Sequence, residues 1–273
     1  MSWNLRLRIE LQQRFPDVAP DSTVIIKPGV NNEGYWRNAD LVAQIKDKAI
    51  PIFKILHPDS DGLFIFDNSQ NHHAKAPDAL SVSKMNMSDG GVSQRLMRNG
   101  WFENGEGNKI EHKMTLDDGK TSKGLQRVLS ERGLWNPLLT VKKARELLAK
   151  QPDFCGQREW LEETITEAGC LVDYDPKYHC EFNFIEMFWG ASKAWYRAHC
   201  TFNFRDMSEL IPKALDSVSL VKIRKFARKT YRYMDAYRVR DSNGNSLNTR
   251  QIEYAVKKFR GHRKIPVRIL ESL

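Results

Sequence analysis

Residues 62–73 read Gly62-Leu63-Phe64-Ile65-Phe66-Asp67-Asn68-Ser69-Gln70-Asn71-His72-His73. Four consecutive apolar side chains of strand length are opened by a glycine and closed by a polar run. An unbroken apolar run, rather than an alternating one, predicts a central strand covered on both faces, as in α/β proteins. Asp67 then falls where that strand leaves the sheet, the usual place for ligand chemistry in such folds. A carboxylate there, with low-dielectric strand behind it, suits a divalent cation. The same residue could equally cap a following helix. An aspartyl-nucleophile phosphatase would need a second Asp two positions on, where this chain has Ser69.

Working outward, Trp3–Phe15 reads as a short helix and Ser22–Lys27 as a β-branched strand closed by Pro28-Gly29. Asn38 is placed to cap a helix over Ala39–Leu56 that Pro51 must bend or restart. Residues 83–123, rich in Gly, Asn, Asp and Met, read as a long irregular and mobile insertion with Met85 and Met87 as loop filler. Helical patterns return over Lys123–Arg132, Val141–Lys150 and Gln157–Ala168, and Cys170–Tyr174 has the look of a strand. A strongly apolar helix follows from near Glu181 to about His199. On it Phe182, Ile185, Trp189 and Ser192 form one stripe with Glu186 at its border. That position suits either a half-buried ligand or a surface glutamate.

The chain has 273 residues, 41% apolar and 28% charged, enough for one ordinary core or two small ones and too apolar for a disordered chain. No apolar run approaches membrane-helix length, and Met1–Arg6 lacks the apolar region of a secretory leader. Four cysteines do not make a disulfide scaffold in a chain this long. The expectation is a soluble, reduced, intracellular α/β protein. His179-Cys180 and His199-Cys200, with Cys155 and Cys170, lack the close ligand pairs of structural zinc. Gly90-Gly91 and Gly105-Glu106-Gly107 lack the Lys-Ser/Thr of a nucleotide loop.

Charge is unevenly placed. There are 43 Lys and Arg against 34 Asp and Glu, and residues 219–273 alone hold 15 basic and 4 acidic side chains. The whole positive excess therefore lies in the last fifth of the chain, which suits a polyanion such as nucleic acid or an acidic membrane surface, or a solvated basic helix. In Ser219–Arg240, Leu220, Ile223, Ala227, Tyr231 and Met234 recur at helical spacing and are expected to face a core. Lys222, Lys225, Lys229 and Arg232 project elsewhere, with Phe226, Tyr233 and Tyr237 interleaved for base stacking or for packing. The turn Asp241–Asn245 ends this helix, a second runs over about Thr249–Phe259, and Arg260–Pro266 reads as an extended basic tail.

Two segments, FIFDNSQNHHA from Phe64 and HCEFNFIEMFWGASK from His179, resemble the later acidic blocks of the DDE-superfamily endonuclease domain of mariner-like transposases. Residue by residue, Asp67 falls on the second acid and Glu186 on the third, and Asn68, His72, Asn183, Ile185 and Trp189 also match. The running sequence from Pro28 to Pro266, including GYW, FKILHPDSDG and FRGHRKIP, is similar to a fungal group of such domains. The resemblance implies a ribonuclease-H-like α/β fold with a mixed sheet, DNA as partner, Mg²⁺ or Mn²⁺ as cofactor, and a nuclear location. It implies metal and catalytic roles for Asp67 and Glu186, and contact with nucleic acid for Asn68 and His72, beside Lys222, Lys225, Lys229 and Arg232. Two-metal phosphoryl transfer needs about three carboxylates around ions roughly 3.5–4 Å apart.

Two departures bear on activity. Asp67 and Glu186 stand 119 positions apart, so a helical insertion over about residues 83–170 must fill the gap. The family's first acid ends an early strand, whereas Asp17, Asp21, Asp40, Asp47, Asp59 and Asp61 stand in loop, turn or helix contexts. The expectation is a domain over residues 1–218, incomplete at its amino end, followed by basic helices over 219–273. On that reading DNA cleavage is negligible. The alternatives are a non-catalytic nucleic-acid-binding or interaction protein that keeps the fold, and an unproductive relic.

Overall fold

A computed structural model of the chain describes residues 5–92, 94–201, 203–240 and 244–259. The described residues form two compact units, one within 6–62 and 69–171, the other of residue 5 with those within 63–68 and 172–259. The class is mixed α and β. Among the described residues no helix is long and apolar enough to cross a membrane.

In the first unit, α1 spans Ile9–Arg14 and α2 spans Asn38–Gln44. Without a break, α2 widens into a π-turn over Ile45–Ala49 and continues as α3, Ile50–Leu56. Pro51 explains the widening. It has no N–H to donate, and its ring crowds the carbonyl four residues back, so the backbone loosens to i→i+5 bonding, with Ile50 N–H bonded to the Ile45 carbonyl. Asn38 does not cap. Arg37 is the cap residue, its N–H donating to Asp40 Oδ2 (2.7 Å), while the buried Asn38 side chain donates to the Asn71 carbonyl. Ser22–Lys27 is not a strand; Val24 and Ile25 are exposed and only the bridge Arg6–Asp21 precedes them. Helix α7 (Trp160–Glu167) packs on α2 and the π-turn, and Val42, Ile45, Leu161 and Ile165 are all buried.

Residues 83–123 are irregular in backbone yet packed, which corrects the expectation of a mobile insertion. They contain the antiparallel hairpin β2 (Gly100–Glu103) and β3 (Lys109–His112), registered Gly100 to His112. Met85 and Met114 are fully buried among Leu125, Val128, Leu129, Leu148 and Phe154 from α4 (Leu125–Glu131), α5 (Val141–Ala149) and α6 (Pro152–Cys155). Unbranched methionines fill the uneven space beneath a loop that lacks regular periodicity. Met85 is thus core, not filler.

A buried polar chain fastens this core. Arg132 and Asp153, both essentially solvent-free, form a two-pronged ion pair (2.8 and 2.7 Å). Asp153 Oδ2 also accepts the Trp101 N–H (3.0 Å). Arg132 Nε donates to His112 Nδ1 (3.0 Å), and His112 Nε2 meets Glu131 Oε2, which Lys123 also binds. Gly100 lies against the pair, and a Cβ there would overlap Asp153 Oδ2. Gly100→Ala is therefore expected to destabilise the protein by about 1–3 kcal/mol, read from urea unfolding. A loss within the error of the fit would contradict this contact.

His112 is held neutral. Burial and the neighbouring Arg132 charge push its pKa below the ordinary 6.5, against the opposing pull of Glu131. Its Nδ1 accepts from Arg132, so protonation would set donor against donor. The native state then binds fewer protons than the unfolded chain below that ordinary value, and stability falls as pH drops through it. Unfolding midpoints measured between neutrality and mild acid should decline, and His112→Gln should flatten the decline. An unchanged slope in the variant would remove His112 as its source.

In the second unit, β1 (Leu63–Phe66) pairs with β4 (Leu171–Tyr174). Leu171 N–H bonds to the Gly62 carbonyl and Asp175 N–H to the Phe66 carbonyl, equal advances on both chains, so the pair runs parallel. Among the described residues each sheet has two strands, one parallel and one antiparallel, rather than one mixed sheet. Nor is β1 covered on both faces: Leu63 and Ile65 are 54% and 52% exposed.

A 3₁₀ turn over Cys180–Phe182 leads into α8 (Phe184–His199), then α9 (Phe204–Asp216), α10 (Leu220–Arg238) and α11 (Thr249–Lys258). Asn183 caps α8 through Oδ1 and the Ile185 N–H (3.2 Å), so the helix begins after Phe182. The buried stripe accordingly runs through Phe188 and Ser192, with Phe184 and Ile185 partly covered, while Trp189 is 42% exposed. Phe188 meets Val218 and Ile223 in one cluster; a second joins Ala236 of α10 to Leu247, Ile252, Ala255 and Val256.

Candidate functional site

Parallel pairing brings the carboxyl ends of β1 and β4 to one edge, and each end carries acids. Asp67 follows β1 and is exposed; Asp173 is exposed near the end of β4; Asp175 follows β4 and is buried, only 6% exposed. Asp175 Oδ2 has no hydrogen-bond partner. Burial first, then the like charges of Asp173 and Asp67, push the Asp175 carboxyl up to about 6. Among the described residues, no Lys, Arg or His is one of the charges acting on it.

Glu186 stands in the first turn of α8, exposed, where a carboxylate favours the helix amino end. It is not among the charges that act on Asp175. Asn68 is half-buried beside Asp67. His72 belongs to the other unit, in a turn where its N–H bonds to the Ser69 carbonyl. Among the described residues no three His, Cys, Asp or Glu side chains are gathered closely enough to hold a metal ion. The Mg²⁺ or Mn²⁺ that the resemblance implies is a hard cation that prefers oxygen donors, and the Asp67 and Asp175 carboxylates fit it in kind, though not as a three-acid cage.

The turn ahead of Glu186 is tied to α10. Tyr237 Oη donates to Glu181 Oε1 (2.6 Å), which also meets His179 Nδ1 (2.9 Å), and the His179 ring stacks on Phe182 and abuts Tyr237 edge-on. These two bonds hold the Glu181 carboxyl below its usual range, against the opposing effect of burial. Burial and the same bond push the Tyr237 hydroxyl up to about 12.

On α10, Ser219 caps the helix and the buried line runs through Ile223, Thr230 and Ala236, with Phe226, Tyr233 and Tyr237 packed beside it. Leu220 and Tyr231 are therefore not core; they are 54% and 68% exposed. Phe226, Tyr233 and Tyr237 are partly buried, packed against the Phe188 and Ala236 clusters. Lys222, Lys225 and Lys229 are exposed, and so are Arg224 and Arg228. Among the described residues no carboxylate lies within ion-pair distance of these five. Arg232 differs: it is half-buried and its Nη1 donates to the Phe259 carbonyl at the end of α11 (2.9 Å). The tail Arg260–Pro266 and residues 241–243 lie outside the described residues.

Sequence reasoning missed Asp173, Asp175, Arg224 and Arg228. The strand at Cys170–Tyr174 was legible, and Asp175 stands just past its end as Asp67 does past β1. What was lacking was the pairing that sets the two ends side by side. No family model, characterised protein or solved structure matches the chain.

Proposed function

We propose that this chain is a DNA-binding domain of DDE-transposase lineage that engages the phosphate backbone through the exposed cations of α10, and that its strand-cleaving activity is negligible. The observation that carries the reading is the return of the chain. After residues 69–171, which fold in the other unit, β4 comes back alongside β1, so that Asp67 and the helix bearing Glu186 share one unit. A DDE domain with a long insertion requires that path between its second and third acids. The ribonuclease-H-like fold, the roles of Asp67, Glu186, Asn68 and His72, and a nuclear location belong to this proposal.

The five exposed cations of α10 spread over a broad arc of the helix that flanks its packed line, with Lys229 Nζ over the Tyr233 ring (5.8 Å). Such a face neutralises phosphates without reading sequence, so binding is expected to be salt-sensitive and weakly selective. Negligible cleavage is proposed from the sequence, in which no aspartate ahead of Asp67 takes the strand-end place of the first acid, so that two dications would lack the charge that holds them together.

The test is a fluorescence-anisotropy titration of labelled duplex DNA, with nicking of supercoiled DNA followed in Mn²⁺. Binding without nicking is expected. Failure to bind duplex DNA at low salt would overturn the proposal, and nicking abolished by Asp67→Ala would overturn its non-catalytic half.

A further inference from the structure

We propose that Asp175 and Asp67 together hold one divalent cation of the Mg²⁺/Mn²⁺ class at the carboxyl ends of β4 and β1. The inference rests on the reading above for the role of Asp67, and it adds a ligand that the resemblance does not contain.

Asp175 is poorly accommodated as a charge. It is more than nine-tenths buried, and among the described residues its Oδ2 has no hydrogen-bond donor and the charges acting on it are Asp173 and Asp67, both negative. A buried carboxylate is ordinarily paired, hydrogen-bonded or coordinated to a metal. The first two remedies are absent at Oδ2. Backbone register supplies the geometry, because Asp175 donates its own N–H to the Phe66 carbonyl, one residue before Asp67. A cation between the two strand ends would give Oδ2 its partner and turn the repulsion between the two acids into shared attraction.

Two carboxylates suffice for this class of ion. Mg²⁺ keeps several waters and is commonly held by one or two carboxylates, with phosphate oxygens completing its shell. That is compatible with the lack of a three-ligand group among the described residues. Hard oxygen donors with no thiol or imidazole favour Mg²⁺ or Mn²⁺ over zinc. Asp173 lies at the rim, where it adds field without being required as a ligand.

The experiment titrates the full chain with MnCl₂ near neutral pH, reading bound Mn²⁺ from the loss of the free-ion paramagnetic signal and Tm in parallel. Wild type is expected to bind and to gain Tm with added Mn²⁺. Asp175→Asn and Asp67→Asn should each weaken binding by at least the roughly 10- to 100-fold that even outer partners of a metal site cost. Asp175→Asn keeps the shape and removes the buried charge, so it should melt higher than wild type without metal yet lose the Mn²⁺-induced rise. A merely structural Asp175 would do the opposite: the variant would melt lower and keep the rise. That outcome, wild-type Mn²⁺ affinity in Asp175→Asn, or no Mn²⁺ binding by folded wild type would each overturn the inference. DNA affinity measured without metal on the same samples separates the two claims, since its loss sinks the functional reading and leaves the cation site to the Mn²⁺ data.

Discussion

Asp153→Ala is expected to cost about 3–5 kcal/mol, the range for removing one partner of a buried ion pair. The loss is large because the variant strands two groups at once. Arg132 keeps a charge with essentially no solvent to receive it, its two bonds to the carboxylate vanish, and the Trp101 N–H at the start of β2 loses its acceptor. Whole domains are stable by only about 5–15 kcal/mol, so the affected unit would sit near the edge of unfolding. Urea denaturation followed by tryptophan fluorescence gives the number. Replacing both partners, Arg132→Met with Asp153→Leu, should cost clearly less than the single change, because no uncompensated charge is left behind. A single-variant loss below about 1 kcal/mol would show that water reaches Arg132 and that the pair is not the fastening described.

That fastening also shows where sequence reading stops. Helices with a strong apolar period were legible almost to the residue: Val141–Ala149, Trp160–Glu167, Leu220–Arg238 and Thr249–Lys258 lie within a few positions of their expected bounds. The break at Pro51 was legible too, because a missing donor is a local fact. Residues 83–123 were not, since their order comes from contacts distant in sequence, such as Arg132 with Asp153 and Met85 among helices α4 to α6. Ser22–Lys27 failed for the converse reason: β-branched residues favour a strand only where a partner is offered. On α10 the apolar period was right but its phase was misjudged, and the aromatics chose the packed side over Leu220 and Tyr231. The site divides the same way. Asp67 and Glu186 are singled out by motif and position alone, whereas Asp175 emerges only from the pairing of β1 with β4.

The second large effect concerns DNA. Lys222→Gln, Lys225→Gln and Lys229→Gln combined are expected to weaken duplex binding by roughly 10²–10³-fold at about 0.1 M salt, since each phosphate contact contributes close to 0.9 to the slope of log affinity on log salt. All three side chains are exposed and none is paired with a carboxylate among the described residues, so apart from the contact of Lys229 with the Tyr233 ring (5.8 Å) the fold should lose little. Arg232→Gln is the instructive contrast. It removes the bond to the Phe259 carbonyl, so its effect on DNA should be accompanied by a lower Tm. An equal loss of affinity in the triple variant and in a matched triple of lysines outside α10 would show that only net charge matters.

The most direct measurement is therefore the salt dependence of duplex affinity for wild type and the Lys222, Lys225 and Lys229 triple variant, taken over a series of salt concentrations on folded protein. A DNA-binding face on α10 predicts that the slope becomes shallower by about 3 in the variant, with the two lines converging toward high salt. Parallel lines, or identical affinities, would mean that these lysines touch no phosphate and that the proposed interface lies elsewhere.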